Sequence, residues 1–301
     1  MFKKSLIFFT LFAFKVFSAQ EQYFVDNTGI YLVDYDTKNL TQMFDELYYD
    51  SYINPPGNEY PRIFLKNIPH DFALQKDKTE RNRIFMKILI PLILKINEEI
   101  LDERETLDAL KYDFEQNKDF DKADRYYIDK LAEKYDVVTP YKDTRKYIRL
   151  LTELEKRIDI IPPSIMLASA AIYTDWGTSR IAVQANNLYK IKVWFEEEGL
   201  EPIEDKEDGY KYKIYPSLES SIRDYALKIN SDVNYQMFRD VRAMFRQKAE
   251  HMPLYGKRMD WGMILDSDLQ NFAGLLDYTL TYYKLYNIDE ATLEGQYKLG
   301  E

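Results

Sequence analysis

The run "SIMLASAAIYTDW", residues 164–176, limits the fold more than any other stretch of the chain. Alanines at 168, 170 and 171 let neighbouring backbones approach closely, and the run is free of charge until Asp175. A helix that is apolar on every side has to be buried. Pro162-Pro163 marks a boundary before it, and Gly177 stands where a helix stop is expected. The expectation is a core helix over 164–176, enclosed by other helices.

Helices to enclose it are legible on both sides. Residues 79–115 carry "IFMKILIPLILKINEEI" and then Leu101, Leu107 and Leu110 at helical spacing, predicting one long helix or a pair kinked at Pro91. The apolar part, 84–96, is interrupted by Lys87, Pro91 and Lys95 and is too short to span a membrane. "FDKADRYYIDKLAEKY" and "DTRKYIRLLTELEKRI" repeat apolar residues three and four apart. Before them come an extended start, "YFVDNTGIYLVDYD", and a loop over 49–62 with "NPPG". Beyond the core helix, residues 188–194 and 209–215 alternate with period two, predicting a β-hairpin with a long acidic connection. After Pro216 three more helical patterns follow. The fold class is therefore α+β, mostly helical, with a small β-hairpin lobe and a helical N-terminal region. The expected divisions are a leader over 1–19, a helical region over 20–157, a domain over 158–290 and a tail over 291–301.

Composition excludes several chemistries. The chain has 301 residues and a formal charge of -10, which argues against general nucleic-acid binding through Lys and Arg. It has no cysteine and only His70 and His251, so thiol nucleophiles, histidine triads and histidine-rich metal sites are poorly supported. No cofactor and no metal is expected. Lys3 and Lys4 before "SLIFFTLFAF", then small residues at Ser18 and Ala19, read as a cleaved export signal. That predicts a periplasmic or secreted chain with no membrane span after processing.

The order of core helix, Trp-Gly turn, hairpin and further helices is the plan of a lysozyme-like domain. The stretches "IPPSIMLASAAIYTDWGTSR", "ANNLYKIKVW" and "YKIYPSLESSIRDYALKIN" resemble the Bax-type branch of the glucosaminidase domain family, relatives of glycoside hydrolase family 73. The likeness runs over about residues 45–290. It implies a groove between a helical and a β lobe, and a peptidoglycan glycan strand as partner. The implied reaction is cleavage of β-1,4 links after N-acetylglucosamine.

The family's general acid is a Glu near the end of the motif helix, in a pattern like Ala-Ala-x-Glu-Ser-x-Trp-Gly. Here Ala170, Ala171, Trp176 and Gly177 match, but Tyr173 stands in the Glu position and Thr174 in that of Ser. Glycoside cleavage needs a proton delivered to the leaving oxygen. A phenol, with an ordinary pKa near 10, releases it poorly at neutral pH. Asp175 is a candidate displaced acid, although two helical steps would turn it by about 200° from Tyr173. That rotation predicts Tyr173 facing the groove and Asp175 facing elsewhere. A hairpin carboxylate, among Glu201, Glu204, Asp205, Glu207 and Asp208, is a further candidate.

Tyr189, Trp194, Tyr210, Tyr212 and Tyr225 are the candidate sugar contacts, because aromatic rings offer sugars a flat apolar face. Core packing and cross-strand pairing are the other uses such rings have, and Asn186 and Asn187 can fix the turn into the hairpin. Three readings stay open. The first is a glycan-binding protein of impaired hydrolysis. The second is an active endo-β-N-acetylglucosaminidase with a displaced acid, and the third is a protein-interaction module of the cell envelope.

Overall fold

A computed structural model of the chain describes residues 22–47, 49, 58–117, 119–142, 144–194, 197–203, 209–248, 254–259 and 272–295. The expected leader, His251 and the acidic residues Glu204, Asp205, Glu207 and Asp208 lie outside the described residues.

The chain opens with a hairpin of β1 (Gln22–Val25) and β2 (Ile30–Val33). Helix α1 (Thr37–Glu46) and two short strands follow, β3 (Glu59–Tyr60) and β4 (Ile63–Leu65). β2 pairs antiparallel with β1 and parallel with β4. The long pattern over 79–115 forms one helix, α2 (Lys78–Asn117), with Pro91 inside it. Proline cannot donate to the carbonyl four residues back, which is that of Lys87. The buried Tyr49 hydroxyl donates to that carbonyl at 2.9 Å and replaces the missing amide.

Helices α3 (Lys122–Lys134) and α4 (Thr144–Arg157) lead to α5 (Pro163–Thr174), the expected core helix. All of α5 except Ile172 is buried. It packs against α2, against α9 (Phe272–Tyr282) and against the short 3-10 helices Gly256–Arg258 and Leu285–Glu290. Small residues permit this crowding. Gly256 lies so close to α5 that a Cβ there would fall 2.2 Å from the Ser164 hydroxyl.

Two polar clusters fix where α5 begins. The buried Asp289 carboxylate accepts from the Ser164 amide at 2.9 Å, the Ser164 hydroxyl at 2.8 Å and the Gly256 amide at 2.8 Å. It thus satisfies an amide at the positive end of α5. Upstream, Arg246 holds the buried Asp159 with two bonds of 2.9 Å. Arg242, on α8 (Gln236–Lys248), donates to the carbonyls of Lys156, Arg157, Asp159 and Ile160 where α4 ends. Burial alone would raise the Asp159 pKa, but the surrounding guanidiniums of Arg246, Arg242 and Arg104 hold it below the usual carboxylate range.

The β lobe is larger than the expected hairpin and its strands are shorter. β5 (Lys192–Trp194) and β7 (Tyr210–Lys213) pair antiparallel, and β6 (Gly199–Leu200) adds to the other edge of β7. The expected first strand began at Leu188. Lys190, with φ 52°, and the Asn187 side chain bend the chain before Lys192 instead. After α7 (Leu218–Ser231), α8 and α9 comes β8 (Thr292–Leu293), parallel to β3. One apolar cluster runs from Leu32 to Leu293, so the N-terminal helical region and the second half share a core. Among the described residues no helix is long and apolar enough to cross a membrane.

Candidate functional site

Helix α5 ends at Thr174, one residue after Tyr173 and earlier than the sequence pattern indicates. Asp175, Trp176 and Gly177 follow with φ of 48°, 57° and 81°, three left-handed residues in a row. Such a turn is costly for side chains larger than glycine, and the surroundings hold it in place. The Thr174 hydroxyl donates to the Ala170 carbonyl at 2.6 Å and accepts from the Gly177 amide at 2.9 Å. The Trp176 ring lies 4.4 Å from that of Tyr283 and 5.9 Å from that of Phe85, centre to centre. A Cβ on Gly177 would meet the Phe85 ring at 2.7 Å, so glycine is required there twice over. Ser179 then caps α6 (Arg180–Ala185) by accepting from the Ala182 amide. This short helix is absent from the sequence reading. Its signal was the Ser179 cap and the Asn186 at its left-handed end.

The early end of α5 changes the argument about Asp175. A 200° helical rotation no longer describes it, because it belongs to the turn. Its carboxylate is exposed and accepts from the Thr178 hydroxyl at 3.1 Å. The expectation that Tyr173 faces an open groove also needs correcting. Tyr173 is only 6% exposed, and its ring stacks on Phe272 of α9, centres 5.1 Å apart and planes 21° apart.

The candidate sugar contacts divide into two groups. Tyr189 and Tyr225 are core residues: their rings stack on each other at 3.8 Å and both are buried. Burial pushes the Tyr189 phenol well above its ordinary range, and its hydroxyl has no hydrogen-bond partner among the described residues. Neither ring offers a face to a ligand. Trp194, Tyr210 and Tyr212 instead form a chain of rings on the β lobe, with Trp194 to Tyr210 at 6.0 Å and Tyr210 to Tyr212 at 5.5 Å. Within it Trp194 is exposed, Tyr212 half-buried and Tyr210 buried beneath the Lys192 ammonium, 4.2 Å from its ring centre. Asn187 serves the turn. It accepts from the Ile191 amide and donates to the carbonyls of Ile191 and Lys213.

Arg180 ties α6 to the β lobe by donating to the Glu201 carbonyl. The exposed Glu201 carboxylate pairs with Lys211 at 3.6 Å. A cavity of about 590 Å³ lies apart from the Tyr173 turn, between loops of the N-terminal half and the end of α6, and is bordered by Asp34, Asn67, His70 and Asn186.

Comparison with known proteins places these features in a family. The model of the Glucosaminidase family, described as mannosyl-glycoprotein endo-beta-N-acetylglucosaminidase, matches residues 148–266. That match begins within α4 and takes in α5, the Trp-Gly turn, the β lobe, α7 and α8. Protein bax of Escherichia coli (strain K12) is 30% identical over 196 residues, covering 64% of this chain and 67% of that protein. Among solved structures, the catalytic domain of the autolysin Auto from Listeria monocytogenes matches 56% of this chain and 89% of its own, at 17% identity and a TM-score of 0.32.

Proposed function

Because this chain belongs to the glucosaminidase domain family, with protein bax among its relatives, we propose that it holds N-acetylglucosamine-containing glycan of the bacterial cell wall while its hydrolysis is impaired. The observation that carries this reading is the contrast between neighbours in the motif. Thr174 keeps the hydroxyl that bonds Ala170 and Gly177, so the turn stays built. Tyr173, in the family's acid position, is packed flat on Phe272. The turn after the acid position is kept and the proton donor is replaced.

The chemistry follows from that replacement. A general acid must hold a proton near neutral pH and release it as the glycosidic bond lengthens. A carboxyl at the negative end of a helix, sheltered from water, has its pKa raised into that range. A phenol starts far above it. Glycan binding has no such requirement. Trp194 and Tyr212 of the β lobe, rather than the buried Tyr189 and Tyr225, are the rings this reading assigns to sugar on that side. The export signal read in residues 1–19 fits a wall-directed protein of the periplasm or exterior.

One observation favours a second reading, in which Asp175 is a displaced acid. Its carboxylate is exposed on the turn that follows Tyr173, and the rotation that argued against it does not apply beyond Thr174. Pelleting with purified peptidoglycan sacculi, with soluble fragments read by mass spectrometry, separates the two. Co-sedimentation without released muropeptides supports impaired hydrolysis. Fragments ending in N-acetylglucosamine would favour the displaced acid.

A further inference from the structure

The outer face of α9 carries a row of rings that leads back to the Trp-Gly turn. Tyr278 and Tyr282 stand one helical turn apart. They are 58% and 64% exposed, and their rings stack at 5.4 Å with planes 19° apart. Tyr282 meets Tyr283 edge-on at 4.9 Å, and Tyr283 meets Trp176 at 4.4 Å. Trp176 lies three residues from Tyr173, and the inner face of the same helix supplies Phe272 to the Tyr173 ring. One helix thus covers the family's acid position from inside and continues outward as an exposed aromatic surface.

We propose that the row Trp176–Tyr283–Tyr282–Tyr278 is a glycan platform, along which a β-1,4-linked N-acetylhexosamine strand runs away from the Tyr173 turn. This rests on the reading that the chain holds wall glycan, and it assigns to that task Tyr278, Tyr282 and Tyr283, which the sequence motif does not contain.

The chemistry of the face selects the occupant. Exposed contiguous apolar surface marks a binding region. Tyrosine rings pair an apolar face with a hydroxyl at the rim, which suits a sugar whose C–H face stacks while its hydroxyls form hydrogen bonds. A groove for a partner helix would instead present aliphatic anchors at several helical positions. On this face Leu275 is exposed beside the tyrosines, and the other exposed neighbours are Gly274, Asp277, Thr281 and Lys284. The platform also has a direction, because its half-buried end, Trp176, lies in the turn that follows Tyr173 and contains Asp175.

The test uses the full chain with two probes, tetra-N-acetylchitotetraose by calorimetry and intact sacculi by pelleting. The double variant Tyr278→Ala/Tyr282→Ala is expected to weaken tetrasaccharide binding by about tenfold. Tyr278→Phe/Tyr282→Phe, which keeps the rings, is expected to lose much less. Both pairs are exposed, so their thermal midpoints should stay close to wild type. Wild-type binding that survives the alanine pair unchanged would overturn the platform and leave the glycan-binding reading standing. Failure of the wild type to bind either probe would overturn both. If the alanine pair turns a dimer into a monomer with glycan affinity unchanged, the face serves self-association and the platform is wrong.

Discussion

The ring of Tyr173 lies face to face with that of Phe272, which fixes the last turn of α5 to the first turn of α9. A position where the family's chemistry calls for a carboxylic acid has become part of an aromatic contact. Phe272→Ala should therefore lower stability by about 3–5 kcal/mol, the usual cost of removing a buried aromatic ring. Tyr173→Phe should cost no more than about 1.5 kcal/mol. Tyr173→Glu tests the environment directly. Burial raises a carboxyl's pKa, so the variant's stability should fall as pH rises through that raised value. Melting curves at pH 5 and pH 8 report this. A Glu variant that loses the same stability relative to wild type at both pH values would mean that position 173 is open to water.

Tyr189 and Tyr225 form another close aromatic stack, and it is a matter of folding rather than of ligand contact. Tyr189→Ala should cost about 3–5 kcal/mol in chemical denaturation. At temperatures where the variant remains folded, its retention on sacculi should match wild type. Weakened retention with an unchanged denaturation midpoint would return Tyr189 to the glycan site.

Tyr49 and Pro91 should be energetically coupled through the Lys87 carbonyl. Tyr49→Phe leaves that carbonyl without its hydroxyl donor, at about 1–3 kcal/mol. In a Pro91→Ala background the restored amide can serve the same carbonyl, so the same change should cost less. A double-mutant cycle measures the difference. Equal costs in both backgrounds would contradict the account of how this helix tolerates its proline.

The elements legible in the sequence were those with a strong local pattern. The long helix over 78–117 carries apolar residues at helical spacing, the core helix α5 is apolar on every side, and the β lobe carries alternation at Tyr210–Lys213. What periodicity could not convey was where α5 stops. That is decided by Thr174 capping Gly177 and by Phe85 closing on the turn from a distant helix, and no local window contains Phe85. The same limit applied to the tyrosines. Tyr189, Tyr212 and Tyr225 look alike in sequence, and only tertiary packing separates the buried pair from the half-buried ring. The approach of α9 to the motif was hidden for another reason: Tyr278, Tyr282 and Tyr283 lie some hundred residues from it in sequence.

Asp289 gives the fold a pH dependence of its own. Burial pushes its carboxyl up to about 7, against the opposing pull of the Gly256 and Ser164 donors. A carboxyl whose folded pKa exceeds its unfolded value binds a proton more tightly when folded. Its contribution is fully present below about 4 and is lost as pH rises towards 7. Thermal midpoints should decline between pH 5 and pH 8 through this group, and Asp289→Asn should flatten the decline even if it lowers the midpoint overall. An unchanged slope in the Asn variant would show that the carboxylate is ionised throughout.

The measurement that bears most directly on the central claim is release of reducing ends from sacculi that the protein has bound. It should be made with wild type, Tyr173→Phe and Asp175→Asn side by side. All three should sediment with the sacculi, and none should release more than a trace of reducing ends. Robust release by wild type that persists in Tyr173→Phe and disappears in Asp175→Asn would contradict impaired hydrolysis, and would make Asp175 the working acid.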